Sequence, residues 1–131
     1  MAVTYKIDSS RKLIYTTCTN PLTSAEVILH FRTLKEDPAC TGHLDVLLDL
    51  SETDSLPENN QLAAVGAEIA DLRAKVQFGR CAIVATRDAM FGMMRVFEVI
   101  TSQYFRSIRV FRDRKEADVW LASPHTGDAD S

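Results

Sequence analysis

Two kinds of hydrophobic pattern alternate along the chain. Residues 3–7 and 13–19 are rich in β-branched and aromatic side chains, which is typical of strands, and the short polar link between them predicts an antiparallel hairpin. Residues 44–50 and 81–86 are almost continuous apolar runs, as in strands that are buried on both faces of a parallel sheet. Residues 108–111 predict one further strand, so five strands are expected.

Capping motifs mark where the first two helices begin. The letters TSAE at residues 23–26 and SLPE at residues 55–58 each place a hydroxyl three residues before a glutamate, the arrangement called a capping box. Pro38 cannot continue a helix, so the first helix should end near Asp37. The second helix is predicted to reach about Gln77.

These two helices carry apolar stripes that should face the sheet. In the first helix the stripe consists of Val27, Phe31 and Leu34, helped by Ile28. In the second it consists of Leu62, Val65, Ile69, Leu72 and Val76. A neighbouring stripe of small residues, Ala63, Ala67, Ala70 and Ala74, would let another helix come close. We expect the third helix to pack there.

Two more helices complete the order β-β-α-β-α-β-α-β-α. The third is predicted over residues 88–104, and the fourth follows a cap at Asp113 and includes Trp120. Strands that alternate with helices predict an α/β domain with parallel strands, right-handed crossovers and an antiparallel first strand at one edge. Residues 1–122 form this domain, and residues 123–131 are predicted to be a polar, disordered tail.

Composition limits the classes of function. The 131 residues fit one domain, and a net charge of −3 offers no basic face for nucleic acid. Three cysteines without a C-x-x-C motif, and no signal peptide at the N-terminus, predict a reduced, cytoplasmic setting. No apolar run approaches the roughly 20 residues of a membrane span. Transient contact with a membrane surface stays open.

Catalytic and metal-binding motifs were sought among the histidines and glycines. His30 falls on a helix, His43 in a loop and His125 in the tail, without an H-E-x-x-H spacing. Cys40-x-x-His43 lacks a second pair of zinc ligands, and a solvated loop is the expected interpretation. Dinucleotide-binding, P-loop and nucleophile-elbow motifs are absent from the sequence. We therefore expect neither an enzyme, nor a metal site, nor a cofactor.

Asp49 and two cysteines have more than one interpretation. Asp49 lies near the carboxyl end of a predicted buried strand, where ligands collect in open α/β sheets. A carboxylate in that place also binds backbone N–H groups or a nearby arginine, so both roles stay open. Cys18 and Cys81 lie within strands and are expected to be inert core residues.

The third predicted helix is apolar over most of its circumference. Its broad apolar side consists of Ala89, Met90, Met93, Met94, Val96, Phe97 and Ile100. Phe91 falls in the polar arc, beside Arg95. One interpretation makes the broad side core and covers Phe91 with the Arg95 stem. The other makes the Met-rich flank a surface for a ligand or a second subunit.

Three segments of the chain resemble the SpoIIAA-like family of the STAS superfamily. They are LLDLSE at residues 47–52, AIVATRDAMFGMMRVFE at 82–98 and VFRDRKEADVWL at 110–121, and the resemblance covers residues 3–122. The FGM-x-R-x-FE pattern is its strongest part. The resemblance implies a mixed five-stranded sheet with four helices, related to the lipid-binding CRAL-TRIO domains. It further implies either anti-sigma-factor antagonism or binding of an apolar ligand.

The antagonist branch of that superfamily carries a phosphoacceptor in a D-S-[ST]-G motif after the third strand. Here Asp54 and Ser55 match the first two letters, while Leu56 and Pro57 replace the other two. Ser55 is also explained as a helix cap. Phosphorylation of Ser55 in a regulatory protein-interaction module is therefore the alternative hypothesis.

The leading hypothesis is a non-enzymatic protein that binds an apolar or amphipathic, lipid-like small molecule. The pocket is predicted between the second and third helices, and Arg95 would hold an anionic head group. The predicted ligand-binding residues are Leu62, Val65, Phe91, Met94, Arg95 and Phe97, with Asp49 at the strand end. We also predict a homodimer with Phe91 at or near the contact.

Overall fold

The helices and strands follow the order that the sequence predicts. The computed structural model describes residues 2–20, 22–54, 56 and 59–123. Its elements are β1 (Val3–Asp8), β2 (Leu13–Thr19), α1 (Ser24–Glu36), β3 (Gly42–Glu52), α2 (Asn59–Leu72), β4 (Val76–Val84), α3 (Asp88–Thr101), β5 (Ser107–Phe111) and α4 (Arg114–Ala122). A 3-10 turn at Ser102–Tyr104 extends α3. The predicted α/β class is confirmed.

The five strands lie side by side in chain order. β1 is antiparallel to β2, with Val3 opposite Cys18, and the other neighbours are parallel. The predicted hairpin at the edge of the sheet is therefore confirmed. Each crossover advances by one strand in the same direction, and right-handed crossovers of that kind put their helices on one face. Helices α1, α2 and α3 accordingly share one face.

Side chains of the central strand alternate between the two faces of the sheet. Val46 and Leu48 point towards α1 and α2, whereas Leu47 packs under α4. The α4 face has its own small core, in which Ala117 and Leu121 pack on strand residues. Among the described helices only α4 packs on this face, and the three-helix face holds most of the buried apolar side chains.

Helix α2 is shorter than predicted, and β4 is longer. The helix ends at Leu72 and β4 begins at Val76, so the predicted helical residues Val76 and Gln77 belong to the strand. The predicted strand start at Cys81 is also wrong. Val76 is buried and lies four residues after Leu72, so its position continues the apolar stripe of the helix. Its backbone nevertheless has the conformation of a strand. Hydrophobic spacing does not distinguish the two backbone states over so short a segment.

The alanine stripe of α2 is not the place where α3 comes close. Ala63, Ala67 and Ala74 are exposed. The close approach is instead at Gly66, where a Cβ atom would lie 3.4 Å from Cγ2 of Ile100. A glycine inside a helical pattern was the sequence signal for this contact.

The predicted caps have different outcomes. Thr23 accepts a hydrogen bond from the Glu26 amide at 3.2 Å, but the Glu26 carboxylate does not return to Thr23, so only half of the capping box forms. Asp113 caps α4 by accepting from the Lys115 amide at 3.0 Å. The second predicted box depends on Ser55 and Glu58, which lie outside the described residues, as does nearly all of the predicted tail. In the described part of the chain, the helices are too short or too polar to cross a membrane.

Lys75 joins the C-terminal end of α1 to the turn that precedes β4. Its ammonium group donates to the carbonyl oxygens of Lys35 at 2.8 Å, Asp37 at 3.1 Å and Leu34 at 3.4 Å. A cation there satisfies carbonyls that have no partner within the helix and opposes the negative end of the helix dipole.

Replacing Lys75 with methionine should therefore destabilise the protein by about 1–3 kcal/mol, because charge-assisted bonds to three carbonyls are lost. Chemical denaturation measures the free energy of unfolding. Lys6→Met, at an exposed position of β1, is the matched control and should stay within about 0.5 kcal/mol of wild type. Equal stability of the two variants would contradict a capping role for Lys75.

Candidate functional site

A cavity of about 500 Å³ lies between the sheet and the helices of the three-helix face. Voids in well-packed protein cores are seldom larger than a water molecule, whereas small-molecule pockets measure about 300–1,000 Å³. The floor of the cavity is formed by alternate side chains of three neighbouring strands, Ile14, Thr16, Cys18, Val46, Leu48 and Cys81. The volume of the cavity is therefore within the range of small-molecule binding sites.

The walls of the cavity are the inward stripes of the helices. Helix α1 contributes Val27, Ile28, His30, Phe31 and Leu34. Helix α2 contributes Leu62, Val65, Ile69 and Leu72, and α3 contributes Met90, Met94 and Phe97. Amphipathic helices turn such stripes towards the sheet, but here the stripes of α1 and α2 leave space between them.

Polar contacts join α1 and α2 at both ends of the cavity. Near the N-terminal ends, the side-chain amide of Gln61 donates to the hydroxyl of Ser24. Towards the C-terminal ends, the Lys35 ammonium lies 2.8 Å from a carboxylate oxygen of Glu68. The two helices therefore run in the same direction, and the cavity lies between two points at which they are bridged.

The cavity opens at the N-terminal ends of α1 and α2. Its exposed lining residues are found there: Thr23 and Ser24 on α1, Ala64 on α2, and Leu56 before it. Leu34 and Leu72, which are almost fully buried, close the opposite end. A ligand would therefore enter past a partly polar rim and extend into an apolar interior.

The wall carries no charged side chain at neutral pH among the described residues. Burial lowers the pKa of His30 to about 4 and raises the pKa of the Cys18 thiol to about 12. Burial likewise raises the pKa of the Cys81 thiol. The remaining lining residues are apolar, hydroxyl or amide side chains. The site is thus suited to an uncharged group.

Four of the seven predicted ligand-binding residues meet at this cavity. Leu62 and Val65 lie on its α2 wall, and Met94 and Phe97 lie on its α3 wall. The predicted position between the second and third helices covers only that side of the cavity. The sheet floor and α1 form the rest.

Phe91 and Arg95 lie away from the cavity. The guanidinium group of Arg112 lies over the Phe91 ring at 4.3 Å from its centroid. Arg95 is exposed and pairs with Glu98 at 2.9 Å. The structure therefore does not place Arg95 where it could hold the head group of a ligand in the cavity.

Asp49 lies on the α4 face, on the other side of the sheet. Its carboxylate accepts hydrogen bonds from the Ser51 amide at 2.9 Å and the Ser51 hydroxyl at 2.6 Å, and lies 3.5 Å from Arg114. These are the backbone and arginine contacts that the sequence offered as its alternative to a ligand role. Ser55, the predicted phosphorylation site, lies outside the described residues.

Part of the broad apolar side predicted for α3 is exposed. Met90, Met94 and Phe97 are buried, but Ala89 and Val96 face solvent. Val99 is 76% exposed. The interpretation that makes the broad side core therefore holds for Met90, Met94 and Phe97 but not for Ala89 and Val96. Helix α3 contacts the sheet on one side and α2 on the other, and nothing described covers its outer surface.

Sequence reasoning missed the floor of the cavity and its α1 wall. It treated Val46 and Leu48 as buried strand residues and gave His30 no role beyond its place on a helix. The available signal was an imidazole on the inner side of α1, one residue before the stripe residue Phe31. Whether apolar residues meet or leave space cannot be read from spacing.

The protein-family models and the curated proteins with which we compared the chain yielded no match. Among the residues that the structure describes, no three potential metal ligands lie close enough together to hold an ion. The properties of the site therefore have to be argued from its own geometry.

The half-buried imidazole of His30 predicts a specific dependence of stability on pH. The unfolded chain binds a proton at His30 near pH 6.5, whereas the folded protein does so only near pH 4, so stability should fall as pH falls through this window. The loss should be roughly 2–3 kcal/mol. His30→Gln removes this contribution. Urea unfolding at several pH values gives the free energy of unfolding of wild type and variant. The difference between the two depends on pH through His30, because carboxylate titration contributes equally to both proteins. A difference that is constant from pH 7 to 4 would refute the assignment.

Proposed function

We propose that this protein binds an apolar or amphipathic, lipid-like small molecule in the cavity between the sheet, α1 and α2. The observation that supports the proposal is a cavity of about 500 Å³ with an apolar, uncharged wall and a rim that reaches solvent. A ligand that fills it would remove apolar surface from water on both sides, at about 25 cal/mol per Å².

Binding is favoured over catalysis by the chemistry of the wall. The raised pKa of Cys18 keeps its sulfur in the thiol form, which is a poor nucleophile. His30 contacts the rings of Tyr5 and Phe31, and among the described residues no carboxylate orients it as a general base. We therefore propose a non-enzymatic role.

We propose a relation to the SpoIIAA-like family on the basis of the three resembling segments and the architecture. The mixed sheet with an antiparallel first strand and four helices is the arrangement that the resemblance implies. Of the two functions suggested by that family, the cavity favours the apolar ligand. The regulatory alternative depends on Ser55, whose surroundings lie outside the described residues.

We propose that the predicted homodimer forms through the outer surface of α3, with Val96 and Val99 at the centre of the contact in place of Phe91. Val96 and Val99 are exposed there, whereas Phe91 is partly covered by Arg112. Two neighbouring valines one helical turn apart form an apolar strip that a second copy could cover.

Filling the cavity should abolish ligand binding. N-phenyl-1-naphthylamine, an apolar fluorophore, should bind wild-type protein saturably with enhanced emission. Val46→Phe places a ring in the cavity and should weaken this binding at least tenfold, because the space is occupied. Val119→Phe, the same change at an exposed position of α4, is the control and should bind as wild type does. Unchanged affinity in Val46→Phe, with its fold intact by circular dichroism, would place the fluorophore elsewhere.

The assembly proposal has a separate test. Sedimentation of wild type at high micromolar concentration should show dimer, and Val99→Asp should shift it to monomer, since a charge would replace a buried methyl surface. Thr86→Asp, at an exposed position before α3, should leave the dimer intact. A monomeric wild type would end the proposal.

A further inference from the structure

Two polar side chains, the buried Thr16 and the half-buried His30, interrupt the apolar wall of the cavity. Thr16, on the floor, is 3% exposed, and His30 faces the cavity from α1. Both neighbour Tyr5, since Thr16 is its partner across β1 and β2 and the His30 ring lies 5.4 Å from the Tyr5 ring. The two polar groups therefore approach the same region of the cavity from the sheet and from the helix.

Neither polar group is satisfied by the described part of the chain. The Thr16 hydroxyl and the His30 ring nitrogens make no hydrogen bond there. The Tyr5 hydroxyl, by contrast, donates to an Asp37 carboxylate oxygen at 2.6 Å and is already engaged. Among the described residues, the fully buried side-chain atom without a partner is Oε2 of Glu26, so the polar atoms of Thr16 and His30 are accessible from the open space of the cavity. A polar group of a ligand, or a water molecule, can therefore form hydrogen bonds with them there.

We propose that Thr16 and His30 form a hydrogen-bonding anchor that takes one uncharged hydroxyl or carbonyl group of an otherwise hydrocarbon ligand. The inference rests on the proposed function and adds the chemical class of the ligand. A threonine hydroxyl donates and accepts, and a neutral imidazole offers one donor and one acceptor, so the pair matches either group. Such isolated polar groups in apolar pockets fix the orientation of the ligand.

An uncharged group fits this anchor better than a carboxylate. The lowered pKa of His30 leaves its imidazole neutral at physiological pH, and no lysine or arginine of the described part of the chain lines the cavity. A carboxylate at the anchor would lose its hydration without gaining a counter-charge. The polar residues at the rim are engaged in contacts of the protein itself, since Thr23 caps α1 and Ser24 pairs with Gln61.

Three matched bicyclic probes test the anchor: naphthalene, 2-naphthol and 2-naphthoate, titrated at pH 7 by their own fluorescence. They share one hydrocarbon body and differ in carrying no polar group, a hydroxyl or a carboxylate. We expect 2-naphthol to bind wild type about tenfold more tightly than naphthalene, a ratio that corresponds to about 1.4 kcal/mol. We expect 2-naphthoate to bind most weakly.

Variants connect the preference to the two side chains. Thr16→Val, which keeps the shape of the side chain, and His30→Phe should each lower the naphthol-to-naphthalene affinity ratio, and the double variant should bring it close to one. Naphthalene binding is measured in each variant as the internal reference, so a change in the cavity that affects both probes equally cancels in the ratio. His30→Gln retains a donor and an acceptor and should keep most of the preference. Tyr5→Phe removes the neighbouring hydroxyl that is already bonded and should leave the ratio unchanged.

The outcomes separate the two proposals. If naphthalene does not bind wild type, the proposed function fails and the anchor fails with it. If naphthalene binds but 2-naphthol has no advantage, or an advantage that survives in Thr16→Val and His30→Phe, only the anchor is refuted. Tightest binding of 2-naphthoate would also refute it, because that result requires a cation. Should the double variant not fold, the ratio in Thr16→Val alone decides.

Discussion

The direction of the strand crossovers is the constraint on which the rest of the structure depends. Each parallel crossover from β2 to β5 advances one strand the same way, and right-handed connections then force α1, α2 and α3 onto one face. Of the helices that the structure describes, these three cover that face and α4 packs on the other. The inner stripes of α1 and α2 face each other over the central strands of the sheet without filling the space between them, and this space is the cavity.

An internal space of this size lacks the dispersion contacts of a filled core, so the helices around it need support at their ends. Polar contacts supply it. Gln61 meets Ser24 at one end and Lys35 meets Glu68 at the other, while the Lys75 ammonium holds the last carbonyls of α1. These contacts lie at the periphery and leave the interior uncharged. The arrangement that surrounds the cavity therefore also favours ligands whose buried part is uncharged.

Much of the fold could be predicted from patterns of residues close together in the sequence. The errors occurred where one pattern is compatible with two structures. Asp113 was identified as a cap from its position before a helical stripe, and the hairpin from a short polar link. Val76 continues the helical spacing of α2, yet it is the first residue of β4. A buried apolar side chain is compatible with a helical or an extended backbone, so its spacing does not distinguish them. The alanines of α2 were taken for the helix contact, but Gly66 meets Ile100.

The sequence by itself determined the order of the elements, the antiparallel hairpin and the apolar character of the helix faces, because capping, side-chain alternation and helical periodicity act between residues close in the chain. Tertiary structure decided that Leu62, Val65, Met94 and Phe97 share a cavity wall while Arg95 and Asp49 lie elsewhere. It also decided that Thr16 and His30 line the same cavity and have no hydrogen-bond partner among the described residues. Periodicity tells which side of a helix is buried, but only the distance between packed elements decides whether buried side chains touch one another or leave room for a ligand.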